Sequence, residues 1–286
     1  MPLKSQSAME YLMTYGWAIL IIAIVMVALF SLGIFNSQEP RVQPGACEVY
    51  RSTATAPSLT GECQGVWPQF VAQFNGQSGI SAPLPTNAVT GTTISAWFET
   101  TNGIPAQTIF LLGTGGGTNG YGLYLGGAPG WGCAANTYAI LESVVRWICT
   151  SNTFNNKMFY NSVLVSTASS GNVIYTLYIN GAPVYTSPSE SLPYTPTKTF
   201  LIGEDSVGRN FEGSISNVQI YNTSLSQAEI TTLYQEGIGG APIDPTHIVG
   251  WWPLNGNAQD YSGNGNNGAA TAVTYTSAWT SGYTQP

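Results

Sequence analysis

Val173-Ile-Tyr-Thr-Leu-Tyr-Ile-Asn-Gly-Ala182 decides the fold. Its first seven residues are mostly β-branched or aromatic, side chains that fit a pleated, half-buried surface. Asn180-Gly181 then supplies a dipeptide suited to a type I′ turn, which needs φ > 0 at both central positions. The stretch predicts a strand over 173–179 that turns at once into an antiparallel partner.

The same grammar recurs on both sides. Further strands are expected at Gln69–Phe74, Thr92–Phe98, Thr108–Leu112, Gly122–Leu125, Ser162–Ser166, Thr199–Ile202 and Gly213–Tyr221. Gly/Asn/Pro turns separate them at intervals that suit a sandwich. One helix stands out beyond the membrane-proximal region, Ser226–Gln235, with Ser224 or Ser226 as its cap and Gly237 just past its end. The expected fold class is all-β, a β-sandwich.

Composition sets bounds on function. Only 7% of the 286 residues are charged, and the net charge is −7. The seven basic residues form no cluster, so nothing attracts nucleic acid. Many aromatic and β-branched residues argue against disorder. The four cysteines, Cys47, Cys63, Cys133 and Cys149, allow three connectivities. Short loops close most readily, which favours Cys47–Cys63 and Cys133–Cys149. Such disulfides would place the body of the chain outside the cytoplasm. Zinc is disfavoured, since no CxxC occurs and His247 is the only histidine.

Residues 11–35 are apolar apart from Tyr11, Thr14, Tyr15 and Ser31. As a helix they would span about 37 Å, enough for a hydrocarbon core of about 30 Å. Lys4 precedes the run and no basic residue follows until Arg41, so the N-terminus is expected on the cytoplasmic side. A cleavable secretory signal would have a shorter apolar run and a small-residue cleavage site. A plain anchor leaves Glu10 unexplained.

Lys4-Ser5-Gln6-Ser7-Ala8-Met9-Glu10-Tyr11-Leu12 resembles the class III signal peptides of archaeal type IV pilin-like proteins. The resemblance implies a leader over 1–5, cleavage between Ser5 and Gln6, and a hydrophobic helix over 6–35 that stays with the protein. Ser5 stands where the family usually has Gly. Glu10 would be the acidic residue at the fifth mature position. A carboxylate near the apolar phase costs a few kcal/mol unless paired, and cleavage would create an α-ammonium four residues away. Between neighbouring helices that pair could set axial register during self-assembly.

Residues 36–66 read as a Pro-containing linker and a Cys-bounded region. From residue 67 a second resemblance begins. Thr93-Ile-Ser-Ala-Trp97, Tyr175-Thr-Leu-Tyr-Ile-Asn-Gly181, Phe200-Leu-Ile-Gly203, Phe211–Tyr221 and Leu225–Ile230 follow, in order, the motifs of laminin G-like, concanavalin A-like jelly-roll domains. The family's opening strand and loop are absent upstream of Gln69. They stand instead at the C-terminus, as Val249-Gly-Trp-Trp-Pro-Leu-Asn-Gly-Asn257 and Asp260-Tyr-Ser-Gly-Asn-Gly-Asn-Asn-Gly268. A separate domain of about 40 residues could not bury a β core. A circular permutation is therefore expected, with 248–286 supplying the first strand of a jelly roll over 67–286.

The resemblance also implies a ligand loop. In related folds the Asp260–Gly268 loop can hold a structural Ca²⁺, here through Asp260, Asn264 and Asn266. The family often has acids at the positions of Ser216 and Asn217, both neutral in this chain. A tight Gly/Asn turn without metal is the alternative. Catalysis is not expected. A triad has only His247 to draw on, and the paired carboxylates of glycosidases, arranged E-x-D-x-x-E on one strand in laminarinase relatives, do not occur. Glu204-Asp205 reads as a solvated turn. Trp97 and Trp252 are expected in the core, Trp131 and Trp147 in an exposed insertion. Asn222-Thr-Ser224 is a glycosylation sequon.

These readings converge on a membrane-inserted, pilin-like subunit with an extracellular lectin-like domain for adhesion or glycan recognition. After processing it would lie at the cell surface or in a pilus. A monomeric anchored carbohydrate-binding protein and an anchored glycoside hydrolase are the alternatives.

Overall fold

A computed structural model describes residues 15–16, 19–26, 67–84, 91–103, 106–113, 120–126, 132–142, 146–191 and 199–286. Contacts divide the chain into two units, Met1–Gln43 and Pro44–Pro286. In the first, residues 19–26 are helical, with exposed side chains. Among the described residues no helix is long and apolar enough to cross a membrane. Ser5, Gln6 and Glu10, the proposed linker over 36–66, and Cys47 and Cys63 lie outside the described residues.

The second unit is an all-β sandwich of two antiparallel sheets. In chain order its strands are β1 Val71–Asn75, β2 Gly79–Pro83, β3 Thr92–Thr100, β4 Gln107–Gly113, β5 Gly120–Leu125 and β6 Thr137–Glu142. Then come β7 Arg146–Thr153, β8 Tyr160–Ser169, β9 Asn172–Ile179, β10 Ala182–Thr186 and β11 Glu190–Ser191. The last are β12 Thr199–Ile202, β13 Glu212–Tyr221, β14 Ile248–Trp252, β15 Ala269–Thr271 and β16 Thr274–Thr276. One sheet runs β10-β9-β8-β3-β13-β1-β16, with β11 on β9 and β14 on β13; the other runs β15-β2-β12-β4-β5-β6-β7.

The stretch quoted at the outset behaves as its residues dictate. β9 and β10 pair as a hairpin across Asn180 (φ 50°) and Gly181 (φ 75°), both in the left-handed region that a type I′ turn requires. A Cβ on Gly181 would also lie 3.1 Å from the Tyr234 ring, so glycine is fixed there twice over.

Alternation sorts the side chains. Ile94, Ala96 and Phe98 of β3 face the other sheet and join the main core with Ile215, Val218 and Ile220 of β13. Trp97 faces the opposite way, stacking on Tyr234 at 5.8 Å, so it is buried outside the sandwich interior. Trp252 is fully buried in the main core and stacks on Phe200 at 5.3 Å, joining the two sheets through β14 and β12.

The helix Gln227–Gln235 covers part of the outer face of the first sheet, burying Ile230 and Leu233 against Val163, Val165 and Tyr221. A capping box starts it: Glu229 N–H donates to Ser226 Oγ, and Ser226 N–H donates to Glu229 Oε2.

The C-terminal segment is woven into both sheets. β14 pairs with residues 218–221 of β13, while β1 pairs with residues 212–215 on the same flank. The two strands run in the same direction and share one lane, β1 continuing where β14 stops. β16 then pairs with β1 and β15 with β2. The tail closes on the domain's entrance: Trp279 Nε1–H donates to the Pro68 carbonyl at 3.1 Å, and the Trp67 and Trp279 rings lie 5.7 Å apart.

One core tyrosine breaks the usual rule. Tyr138 is buried among Phe98 and Phe154, and its hydroxyl has no hydrogen-bond partner among the described residues. Burial raises its pKa strongly. An unmade buried hydrogen bond is unfavourable, so Tyr138→Phe is expected to leave stability unchanged or to raise it by up to about 1 kcal/mol. Urea unfolding would check this; a clear loss would mean that the hydroxyl has a partner.

Candidate functional site

The Asp260–Gly268 loop lies along the flank of β14 that has no neighbouring strand among the described residues, and its composition answers that edge. Asp260 Oδ1 accepts from the N–H groups of Trp251 (3.0 Å) and Ser262 (2.8 Å), and Oδ2 accepts from Asn266 N–H at 2.9 Å. The Val249 carbonyl accepts from Ser262 Oγ, Asn264 Nδ2 and Asn266 Nδ2, the last at 2.8 Å. Tyr261 N–H donates to the Trp251 carbonyl at 2.7 Å. Side chains and turns thus do for β14 what a further strand would do, satisfying its outward peptide groups.

This arrangement bears on calcium. Asp260, Asn264 and Asn266 do come together, yet the carboxylate is ringed by three N–H donors, and both asparagines turn their NH₂ groups to carbonyls. A Ca²⁺ needs six to eight oxygens pointing inward. These residues present hydrogens where a cation would sit, so they do not fit the ion. Among the described residues no group of three or more His, Cys, Asp or Glu could hold a metal.

Beside this loop a pocket of about 130 Å³ opens. Trp251, Tyr261, Asn217, Asn255 and Pro253 line it, and Pro68, Ile238 and Gly239 close it. Trp251 is 3% exposed, and the ring of Tyr261, 38% exposed, meets it edge-on at 6.2 Å.

Asn217 is the keystone. It sits at an irregularity in the pairing of β13 with β3, between Ser216 and Gln219, with φ at 48°. Its side chain accepts from Trp251 Nε1–H at 2.8 Å and from Gln219 Nε2–H at 2.9 Å, and donates to the Gly240 carbonyl at 2.8 Å. Gln219 in turn accepts from the Tyr221 hydroxyl, which accepts from Ile243 N–H. This buried chain ties the 238–243 segment to the sheet and fixes the Trp251 ring.

Other groups in the pocket remain uncommitted. Asn255 Oδ1 accepts from Phe70 N–H at 2.8 Å, and its NH₂ has no acceptor among the described residues. The Tyr261 hydroxyl accepts from Asn257 Nδ2 at 3.0 Å, leaving its own proton available. The backbone N–H and C=O of Gly239 make no hydrogen bond among the described residues.

Elsewhere the structure amends the sequence reading. Asp205 is not a solvated turn residue. Its side chain is fully buried, accepting from Val207 N–H, Arg209 N–H and Arg209 Nη1–H, the last at 2.8 Å. The guanidinium holds the carboxylate, and two peptide N–H groups complete its shell. Burial, then the Asp205 charge, raises the pKa of neighbouring Glu204. Trp147 is partly buried rather than exposed: it meets Tyr124 edge-on at 4.7 Å, and Arg209 lies 5.3 Å over its ring. Trp131 lies outside the described residues.

The Cys133–Cys149 disulfide is present on the outer face of the second sheet, packed with Leu111 and Tyr124. Asn222 is exposed, as a glycosylation acceptor must be. Trp251, Tyr261, Asn255 and the keystone role of Asn217 were not legible as a site. The WWPLNGN motif was visible and Trp252 was expected in the core, where it lies; that Trp251 faces the pocket follows from the register of β14 on β13.

Comparison with known proteins follows the same lines. A family model described as the concanavalin A-like lectin/glucanases superfamily (Laminin_G_3) matches residues 74–231. No curated protein sequence matches. Among solved structures, a Bacteroides ovatus protein provisionally described as carbohydrate-binding superposes with a TM-score of 0.58 at 17% identity, covering 72% of this chain and 59% of that one. The present chain thus spans 59% of that protein's length. A heptameric SAP-like pentraxin from Limulus polyphemus superposes with a TM-score of 0.52 at 13% identity, covering 72% of this chain and 94% of that one. At these identities the likeness is one of fold.

Proposed function

The chain belongs to the laminin G-like family of the concanavalin A-like lectin/glucanases superfamily, and from that premise we propose that its sandwich is a carbohydrate-binding module displayed outside the cell. The pocket beside Trp251 and Tyr261 carries the reading. Sugar sites combine an aromatic or apolar wall with a few fixed polar groups, and this pocket has both within one rigid frame. The solved relative described as carbohydrate-binding supports it as an analogy of fold.

Display rests on the N-terminal sequence. Residues 6–35 serve as a membrane-embedded helix after removal of 1–5, and Glu10 directs assembly with like subunits. The Cys133–Cys149 disulfide supports an oxidising location. The shared lane of β14 and β1, with Trp67 beside Trp279, supports the circular permutation: joining the tail to residue 67 would regenerate the family's usual strand order.

Two measurements test the two halves. A glycan array probed with the full chain in detergent is expected to give saturable, competable binding; no binding to any glycan would defeat the module reading. Mass spectrometry of the protein from its native membrane is expected to find Gln6 at the mature N-terminus. An intact Met1 would leave the helix a simple anchor.

A further inference from the structure

The geometry points to a ligand class for the Trp251–Tyr261 pocket: we propose that it takes one uncharged sugar ring. This rests on the carbohydrate-binding reading above and narrows it.

Charge comes first. No lining residue carries a charged side chain. A carboxylate, sulfate or phosphate on the ligand would lose water there without gaining a cation, an unfavourable exchange. A cationic ligand fares no better, because the Asp260 oxygens face three N–H groups.

Hydrogen-bonding capacity comes next. Among the uncommitted groups are the Asn255 NH₂, the Tyr261 O–H, and the Gly239 N–H and C=O. Donors and an acceptor stand together, which matches hydroxyl groups, since each hydroxyl can both give and accept. Trp251 adds no donor of its own, because Nε1–H is held by Asn217. Almost wholly buried, it backs the pocket, while the exposed Tyr261 ring and Pro253 give the apolar surface that the C–H face of a sugar can meet.

Size comes last. The pocket has a volume of about 130 Å³ and opens to solvent beside the exposed Tyr261 ring. Space on that scale engages one face or edge of a single ring and leaves the rest of a glycan in solvent, so the recognised unit is one neutral sugar residue.

The test uses the full chain in detergent against neutral and acidic oligosaccharides, followed by titration with neutral methyl glycosides and with glucuronate and sialic acid. Neutral ligands are expected to bind more tightly than acidic ones. Tyr261→Ala should weaken neutral binding about tenfold. Asn255→Asp keeps an acceptor for Phe70 N–H but replaces the donor with a charge, and should weaken it at least as much. Thermal midpoints verify that both variants are folded. If the wild type binds neutral glycans and both folded variants bind equally well, the pocket assignment falls while the module reading stands. A preference for acidic ligands overturns the uncharged class. Failure of the wild type to bind any glycan removes the parent reading, and this inference with it.

Discussion

A chain ending at residue 247 will show no cooperative unfolding transition. The truncation removes β14, β15 and β16, yet the larger loss is from the interior. Val249, Trp252, Leu254 and Ala258 all belong to the main core, and Trp252 is fully buried against Phe200. Removing one large buried aromatic costs about 3–5 kcal/mol, against a total stability for a domain of about 5–15 kcal/mol. Residues 218–221 of β13 would also lose their outer partner and be left as an open edge. The single substitution Trp252→Ala is the milder version, with an expected loss of about 3–5 kcal/mol. Urea unfolding followed by tryptophan fluorescence and circular dichroism measures both. A truncated chain that unfolds at the full-length midpoint would mean that 248–286 is an appendage.

Asp260→Ala should destabilise by about 3 kcal/mol, since three peptide N–H groups lose a charged acceptor together. Two of those donors, on Ser262 and Asn266, shape the loop, and the third, on Trp251, belongs to β14. The loop and the strand edge should therefore loosen as one, seen as faster amide exchange at both places. Asp260→Asn keeps one acceptor and sets an NH₂ against one N–H, so an intermediate loss is expected. Because the loop is closed by its own hydrogen bonds, millimolar Ca²⁺ or a chelator should leave the thermal midpoint of the wild type unchanged. A saturable rise with Ca²⁺ would show that the loop opens to hold the ion, and the covered-edge account would fail.

The strands that announce themselves are those whose local chemistry is unmixed. β9 declares itself through its β-branched and aromatic residues and its Asn-Gly turn, β3 and β13 through alternation, and the helix through Ser226 and Glu229. β2 hides because Gly79-Ile-Ser-Ala-Pro83 looks like punctuation; only pairing with β12 and β15 makes it a strand. β6 and β7 hide because they lie in what reads as a cysteine-bearing insertion. The pocket was illegible for a different reason. Asn217 and Trp251 are 34 residues apart and meet through an irregularity in β13, a feature that sequence periodicity does not announce. Asp205 was misread because its shell is two backbone groups and Arg209, four residues on, and sequence alone does not show that such a turn closes over the carboxylate.

The clasp between Trp67 and Trp279 has a mechanical meaning. Tension arriving through the chain at residue 67 would pull β1 along its own axis. Its hydrogen bonds to β13 on one side and β16 on the other lie across that axis, so they would be sheared together rather than peeled one after another. Pro68 is also a wall of the pocket, and Phe70 is held by Asn255. Load between the proposed tether and a ligand in that pocket would then pass through a few residues along one rim of the sandwich, before it reaches β1.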